Sequence, residues 1–307
     1  MKRDFLSIGD LTTKEIESLL IRAKELKSMQ KSGIEFHPLK GKNLGLLFEK
    51  QSTRTRLSFE VAIAQLGGHS IYLSPNQIQM GRGEEARDTA QVFARYLDAI
   101  VIRTYDHPMI VEWAKYSSIP VINGLTDLHH PCQILSDLLT ILEKKGRVCG
   151  IRMAYIGDGN NVAHSLIEGA AAMGMKIRIA TPGGYEPDKA IVERAGIWAK
   201  ESGASIEILH EPFEAVKDAD VVYTDVWTSM GQEKEEEDRR GIFQQYQINR
   251  ELMNRAKEDA IIMHCLPAHR GEEITEEMME SPRSVIFDQA ENRLHMQKAL
   301  LEMLMRS

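Results

Sequence analysis

The sequence predicts an α/β protein of two domains, each a parallel sheet with helices on both faces, linked by long helices. Three observations predict it. At 307 residues the chain is too long for one ordinary domain and fits two. Short apolar runs alternate with amphipathic ones, which is the rhythm of βαβ units. That rhythm restarts after a long helical run ending at Lys144-Lys145-Gly146. The expected organisation is a domain over 1–146, a second over 147–290, and a C-terminal helix over 291–307.

The elements follow in order. Thr12-Thr13-Lys14-Glu15 reads as a capping box, and Ile16, Leu19, Leu20 and Ala23 follow at helical spacing. Strands are expected at 43–48, 70–73, 99–103 and 120–123, with helices near 54–66, 84–96 and 107–116. A long helix covers 132–145. In the second half the expected strands are 152–156, 176–180, 206–210, 220–224, 260–263 and 285–287. Helices fall near 161–173, 187–201, 249–257 and 291–305. The charged stretch from Gln232 to Arg240 reads as a solvated loop or as a mobile lid.

Bulk properties narrow the function. A net charge of −7 argues against broad nucleic-acid binding while leaving room for a local anion site. No apolar run reaches the roughly 20 residues that span a bilayer. The start, Met1-Lys-Arg-Asp-Phe5, leads into a polar helix and not into a signal sequence. The three cysteines are scattered without CxxC spacing, which disfavours a disulfide framework or zinc site and favours a reducing cytoplasm.

Polar motifs cluster where strands end. Ser52, Thr53, Arg54, Thr55 and Arg56 lie between a strand and a helix. In parallel sheets ligands sit at the carboxyl ends of strands, and a helix N-terminus there offers free N–H groups and a positive dipole end. The joint reads as a phosphate cradle, with Arg54 supplying a planar fork of donors, or as an ordinary capped helix with surface arginines. It is no Walker loop, because GxxxxGK[ST] is absent. In "HHPCQ", Pro131 suits the first turn of the long helix, and His130 and Gln133 share one face. His130 reads as a cap or as a donor to a carbonyl. Arg103 closes the strand at 99–103. "GDGNN", from Gly157 to Asn161, lacks the dinucleotide fingerprint GxGxxG. "TDVWTSMG" carries Asp225, Ser229 and Met230, and "MHCLPAHRG" carries His264, Cys265, Leu266 and His269. Cys265 beside histidines invites a nucleophile, but His264 would point to the opposite face of a strand.

Taken together and in this order, "STRTR", "HPCQ", "DVWTSMG" and "HCLPAHRG" resemble the aspartate/ornithine carbamoyltransferase family over essentially the whole chain, and "SMG" and "HCLP" look like its ornithine-using branch. The resemblance implies that the first domain binds carbamoyl phosphate, that the second binds L-ornithine, and that the last helix packs back on the first. Ser52, Thr53, Arg54 and Thr55 would hold the phosphate. Arg103, His130, Pro131, Cys132 and Gln133 would hold the carbamoyl end, with Arg103 and His130 on its carbonyl oxygen. Cys265, Leu266 and Arg293 would complete that pocket, and Gln79 would reach a neighbouring subunit's site in a homotrimer or a multiple of trimers. Asn161, Asp225, Ser229 and Met230 would hold ornithine. The implied reaction makes L-citrulline and phosphate by direct amine attack, with Arg103, His130 and Cys265 as the catalytic set, and needs no metal or cofactor. The rivals are a carbamoyltransferase for putrescine or another amine, and a non-catalytic phosphate-binding module.

Overall fold

The computed structural model describes residues 2–74, 85–228 and 236–306. It packs as two compact units, Met1–Leu139 with Asn292–Ser307, and Thr140–Glu291. The division falls inside a helix, earlier than the expected boundary at 146.

In unit 1 four parallel strands run in the order β2-β1-β3-β4: β1 Asn43–Phe48, β2 His69–Leu73, β3 Ala99–Arg103 and β4 Val121–Leu125. β3 and β4 are buried along their whole length, as parallel strands covered on both faces must be. The helices are α1 Thr13–Lys31, α2 Thr53–Gln65, α3 Ala86–Phe93, α4 His107–Tyr116 and the start of α5 Pro131–Lys145. Thr12 and Glu15 cap α1 reciprocally, and its Ile16, Leu19, Leu20, Ala23 and Leu26 are buried. Leu47, Ile100, Ile102, Ile110, Trp113 and Val121 build one face of the core. The later part of α12, Ile286–Met305, belongs to this unit: Arg22 pairs with Glu302 at 2.7 Å, and Lys27 donates to Asn292 at 2.7 Å.

In unit 2 five parallel strands run in the order β7-β6-β5-β8-β9: β5 Arg152–Ile156, β6 Lys176–Ala180, β7 Ser205–Leu209, β8 Val221–Thr224 and β9 Ile261–His264. α6, Asn161–Ala172, is buried from Val162 to Ala171, including His164, Ser165 and Glu168, the last paired with Arg194 at 2.5 Å. α7 Lys189–Ser202, α8 Pro212–Val216, α9 Glu236–Phe243, α10 Arg250–Met253 and α11 Glu276–Met279 complete the unit.

Each sheet has a point where strand order reverses, between β1 and β3 in unit 1 and between β5 and β8 in unit 2. Open α/β sheets bind ligands there, outside the carboxyl ends. Three expectations need correction. The strand expected at 285–287 is the start of α12; only an isolated bridge pairs Ile262 with Ser284. The helix expected at 249–257 stops at Met253. The charged stretch is helical from Glu236, as α9.

Candidate active site

In unit 1 the site grows from the end of β1. Ser52 is extended, with φ −161, and its Oγ accepts a hydrogen bond from the Thr55 N–H at 3.2 Å. The cap holds the start of α2 at the switch point. Thr55 is buried, and its Oγ1 accepts from Arg293 Nη2 at 2.6 Å and from Arg103 Nη1 at 3.4 Å. Arg103 Nε donates to the Lys50 carbonyl at 3.1 Å. One hydroxyl thus gathers two guanidinium groups from distant parts of the chain.

Local backbone aims Arg103. The β3–β4 register shifts between Ile102 and Arg103, and such bulges redirect side chains. Gly124 on β4 leaves the space: a Cβ there would sit 3.2 Å from the Ile102 carbonyl and 3.0 Å from Val101 Cγ1. The two arginines of the opening motif separate in role. Arg56 donates to Glu60 at 2.9 Å and stacks over Tyr72 at 3.7 Å, a surface brace. Arg54, half-buried, is left without an ion pair among the described residues.

His130 and Gln133 stand at the start of α5. Burial first, and then Arg293, Arg103 and Lys50, push the His130 pKa well below its ordinary 6.5. The ring is therefore neutral at physiological pH, and the cations around it mark a positive pocket. The sign of the linkage follows. Below about pH 6.5 the unfolded chain takes up a proton that folded His130 refuses, so stability falls as pH drops through that region. His130→Gln is expected to flatten the acid side of a Tm-against-pH curve; an unchanged slope would contradict the assignment. Gln133 Nε2 donates to Asp137 at 2.8 Å, which turns Oε1 the other way, and Oε1 is buried without a partner among the described residues. Such an acceptor costs about 1–3 kcal/mol until a donor arrives. Cys132 is turned to the Asn123 carbonyl at 3.3 Å, and burial pushes its thiol up to about 12. Pro131 opens α5. Lys50, buried and 3.2 Å from Asp127, was missed by sequence reading, although it sits two residues past β1.

In unit 2 the polar cluster lies at the switch between β5 and β8. Asp225 is buried. Its Oδ1 accepts from the Val226 N–H at 2.8 Å and from Cys265 Sγ at 2.9 Å, and its Oδ2 accepts from Asn160 Nδ2 at 2.9 Å. Asn160 Oδ1 in turn caps α6 through the N–H groups of Val162 and Ala163 at 2.9 and 3.2 Å. Asn160 was not foreseen; Asn161, the expected residue, is the first of α6 and half-buried. Among the described residues, three donors fill three of the roughly four lone-pair positions of the Asp225 carboxylate.

Cys265 acts here as a thiol donor to a carboxylate. His264 serves the loop instead. Its Nδ1 accepts from the Leu266 N–H at 2.8 Å, which puts the ring proton on Nε2, directed to Glu273 at 3.1 Å. Leu266 itself has φ 60, a left-handed position unusual for leucine that this brace maintains. Asp225, His264 and Cys265 carry potential metal-ligand atoms within 4.8 Å of one another, but both His264 nitrogens are already engaged. Arg239, on α9, is buried and donates to Asp158 at 2.9 Å and to the Trp227 carbonyl at 2.6 Å. The solvated-loop reading therefore does not extend to this part of the charged stretch. Gln79, Ser229 and Met230 lie outside the described residues.

Two parallel α/β units, one with arginines gathered at its strand ends and one with a buried carboxylate held by neutral donors, define the class: a two-unit, doubly wound α/β protein with a polar cluster at the switch point of each sheet. Comparison with known proteins narrows it. The family model for the aspartate/ornithine carbamoyltransferase carbamoyl-P binding domain matches residues 3–143, and that for the Asp/Orn binding domain matches residues 149–304. The chain belongs to the aspartate/ornithine carbamoyltransferase family. It is 55% identical to an ornithine carbamoyltransferase of Pyrococcus abyssi, covering 99% of this chain and 96% of the relative. It is 54% identical, over the same shares, to an anabolic ornithine carbamoyltransferase of Pyrococcus furiosus. The solved ornithine carbamoyltransferase of Pyrococcus furiosus superposes with a TM-score of 0.96 at 54% identity, covering 99% of this chain and 97% of that one. That of Campylobacter jejuni, also anabolic, gives 0.92 at 44%, covering 98% of each chain.

Proposed function

We infer that the protein transfers the carbamoyl group of carbamoyl phosphate to the side-chain amine of L-ornithine, giving L-citrulline and phosphate. The observation that carries this reading is full-length identity of 54–55% to ornithine carbamoyltransferases. The site chemistry supports it. An amine is already a nucleophile, so the protein has only to orient it, polarise the carbonyl and stabilise the departing phosphate. Ser52, Thr53, Arg54 and Thr55 hold the phosphate, with Arg293 anchored through Thr55. Arg103 and neutral His130 donate to the carbonyl oxygen as it gains charge. Gln133 Oε1 accepts from the carbamoyl NH₂, and Pro131 and Cys132 contribute main chain at the start of α5. The substrate amine titrates near 10.4 like lysine, so the site has to take its neutral form. Asp225 holds the α-amino group and Asn161 the carboxylate, with Ser229 and Met230 completing the ornithine set, while Cys265 and Leu266 join Arg293 in the carbamoyl phosphate set. As the amine attacks, the carbonyl becomes a tetrahedral oxyanion; the C–O bond to phosphate then breaks, and the departing phosphate takes the proton that the amine gives up.

Cys265 orients the amine through Asp225 and is no nucleophile. Cys265→Ser is expected to keep turnover within roughly tenfold, since a hydroxyl repeats the bond to Asp225. Trapping a carbamoyl thioester on Cys265 would overturn this. The predominantly acidic run 233–238 contributes to ornithine binding and to shielding the carbamoyl donor from water; deleting it with ornithine affinity unchanged would rule out the binding role. The working form is a homotrimer or a multiple of trimers, with Gln79 acting in the neighbouring site, and particle mass in solution tests it. A cytoplasmic location agrees with three free cysteines. No helix among the described residues is long and apolar enough to cross a membrane.

The deciding assay offers ornithine, putrescine, N-acetylornithine and aspartate at equal concentration with carbamoyl phosphate. Preference for ornithine supports the reading. Preference for putrescine would keep the carbamoyl site and overturn the roles of Asn161 and Asp225. No turnover with any acceptor would favour a non-catalytic phosphate-binding module.

A further inference from the structure

Unit 1 holds a second polar anomaly, far along α2 from the cradle. Lys298, on α12, is only 3% exposed. Its Nζ donates to Gln30 Oε1 at 2.6 Å and to Gln65 Oε1 at 3.1 Å, and among the described residues it has no carboxylate partner. Lys50, comparably buried, has Asp127. Removing an ammonium from water without a counter-charge is costly, and neutral amides offset only part of that cost. Burial accordingly lowers the Lys298 pKa to about 8.

Lys298 and both glutamines line one cavity of about 240 Å³. Leu26, Met29, Phe36 and Leu66 give it an apolar wall, and exposed Ile34 stands on its rim. We propose that this cavity is a second ligand site for a small monocarboxylate with an apolar body, Lys298 being its counter-ion and the two glutamine amides its polar partners. One buried cation matches one negative charge. A phosphate dianion would leave an uncompensated charge against apolar walls, and among the described residues no arginine lines the cavity. The volume suits a small ligand better than a drug-sized one. Gln65 ends α2 and Thr53 begins it. At 1.5 Å per residue the two lie roughly 18 Å apart, so this is not the cradle.

The other titratable groups on the wall are Glu35 and His37. Nearby on α1 and α12, Lys27 donates to Asn292, and Glu302 is held by Arg22 and Arg306. Calorimetric titration with hexanoate tests the proposal, in saturating inorganic phosphate so that the cradle is occupied. The expected result at pH 7 is one site per chain. Binding should be at least tenfold weaker in Lys298→Met and in the rim variant Ile34→Glu, which alters only exposed surface. Hexanol and hexylamine should also bind at least tenfold more weakly. Affinity should fall between pH 7 and 9 as Lys298 loses its proton, and His37→Gln should keep that profile. Absence of hexanoate binding would overturn the proposal. So would equal binding by Lys298→Met, or by hexanol, which would mark an apolar pocket only. A hexanoate-dependent change in particle mass would also overturn it, because the cavity would then be covered by a second copy of the chain.

Discussion

Arg103→Lys is expected to lower kcat for citrulline formation about 10²–10³-fold, the usual loss when one donor to a developing oxyanion is removed. The reason is geometric. Arg103 spends Nε on the Lys50 carbonyl and touches Thr55 through Nη1, so its fork is fixed on two sides before any ligand enters. Lysine has one ammonium on a flexible stem and cannot hold both contacts and a carbonyl oxygen together. The charge stays, so carbamoyl phosphate affinity should fall far less than kcat. Initial rates at saturating substrates, with a direct carbamoyl phosphate titration, separate the two. A kcat within fivefold of the parent would remove Arg103 from the oxyanion role.

Asp225→Asn should act on the other substrate. An amide keeps the shape but replaces Oδ2 by NH₂, which then meets the Asn160 NH₂ donor. Asn160 cannot simply turn over, because its Oδ1 caps α6. The variant therefore loses the anion that an ammonium needs and gains a donor–donor clash. Breaking such a buried charged contact costs about 2–5 kcal/mol, or roughly 30- to several-thousand-fold in kcat/KM for ornithine. Carbamoyl phosphate affinity should be unchanged. If ornithine KM and kcat/KM both stay within threefold, Asp225 does not hold the amino group.

Much of the fold was legible because parallel strands are short, continuous and apolar, and the helices between them carry a 3.6-residue period. Reading failed where those signals overlap or vanish. Val285-Ile286-Phe287 looks like a strand because β-branched and aromatic residues favour one. The chain does run extended beside β9 just before it, with Ile262 donating to Arg283 O at 2.8 Å and Val285 to Ile262 O at 3.0 Å, and then turns at once into α12. α8 and α11 are single turns, too brief to show a period. Motif residues such as Thr55, Arg103, Asp225 and Cys265 could be named from local sequence, and they lie in buried polar contacts. Lys50, Asn160 and Arg239 were missed because their importance comes from partners distant in sequence. Arg239 is the clearest case: within a run of charges, nothing marks the one that turns inward to Asp158.

The contact between Thr55 and Arg293 joins residues 238 apart in the chain. Protein synthesis proceeds from Thr55 toward Arg293, so the first sheet can emerge from the ribosome long before its second guanidinium is made. Until Arg293 arrives, the nascent unit holds Thr55 without its 2.6 Å donor. Translation stopped anywhere between the two leaves Thr55 without that partner, whatever else has folded. A message truncated within the second unit thus yields a product whose first unit lacks one of the contacts that hold the start of α2.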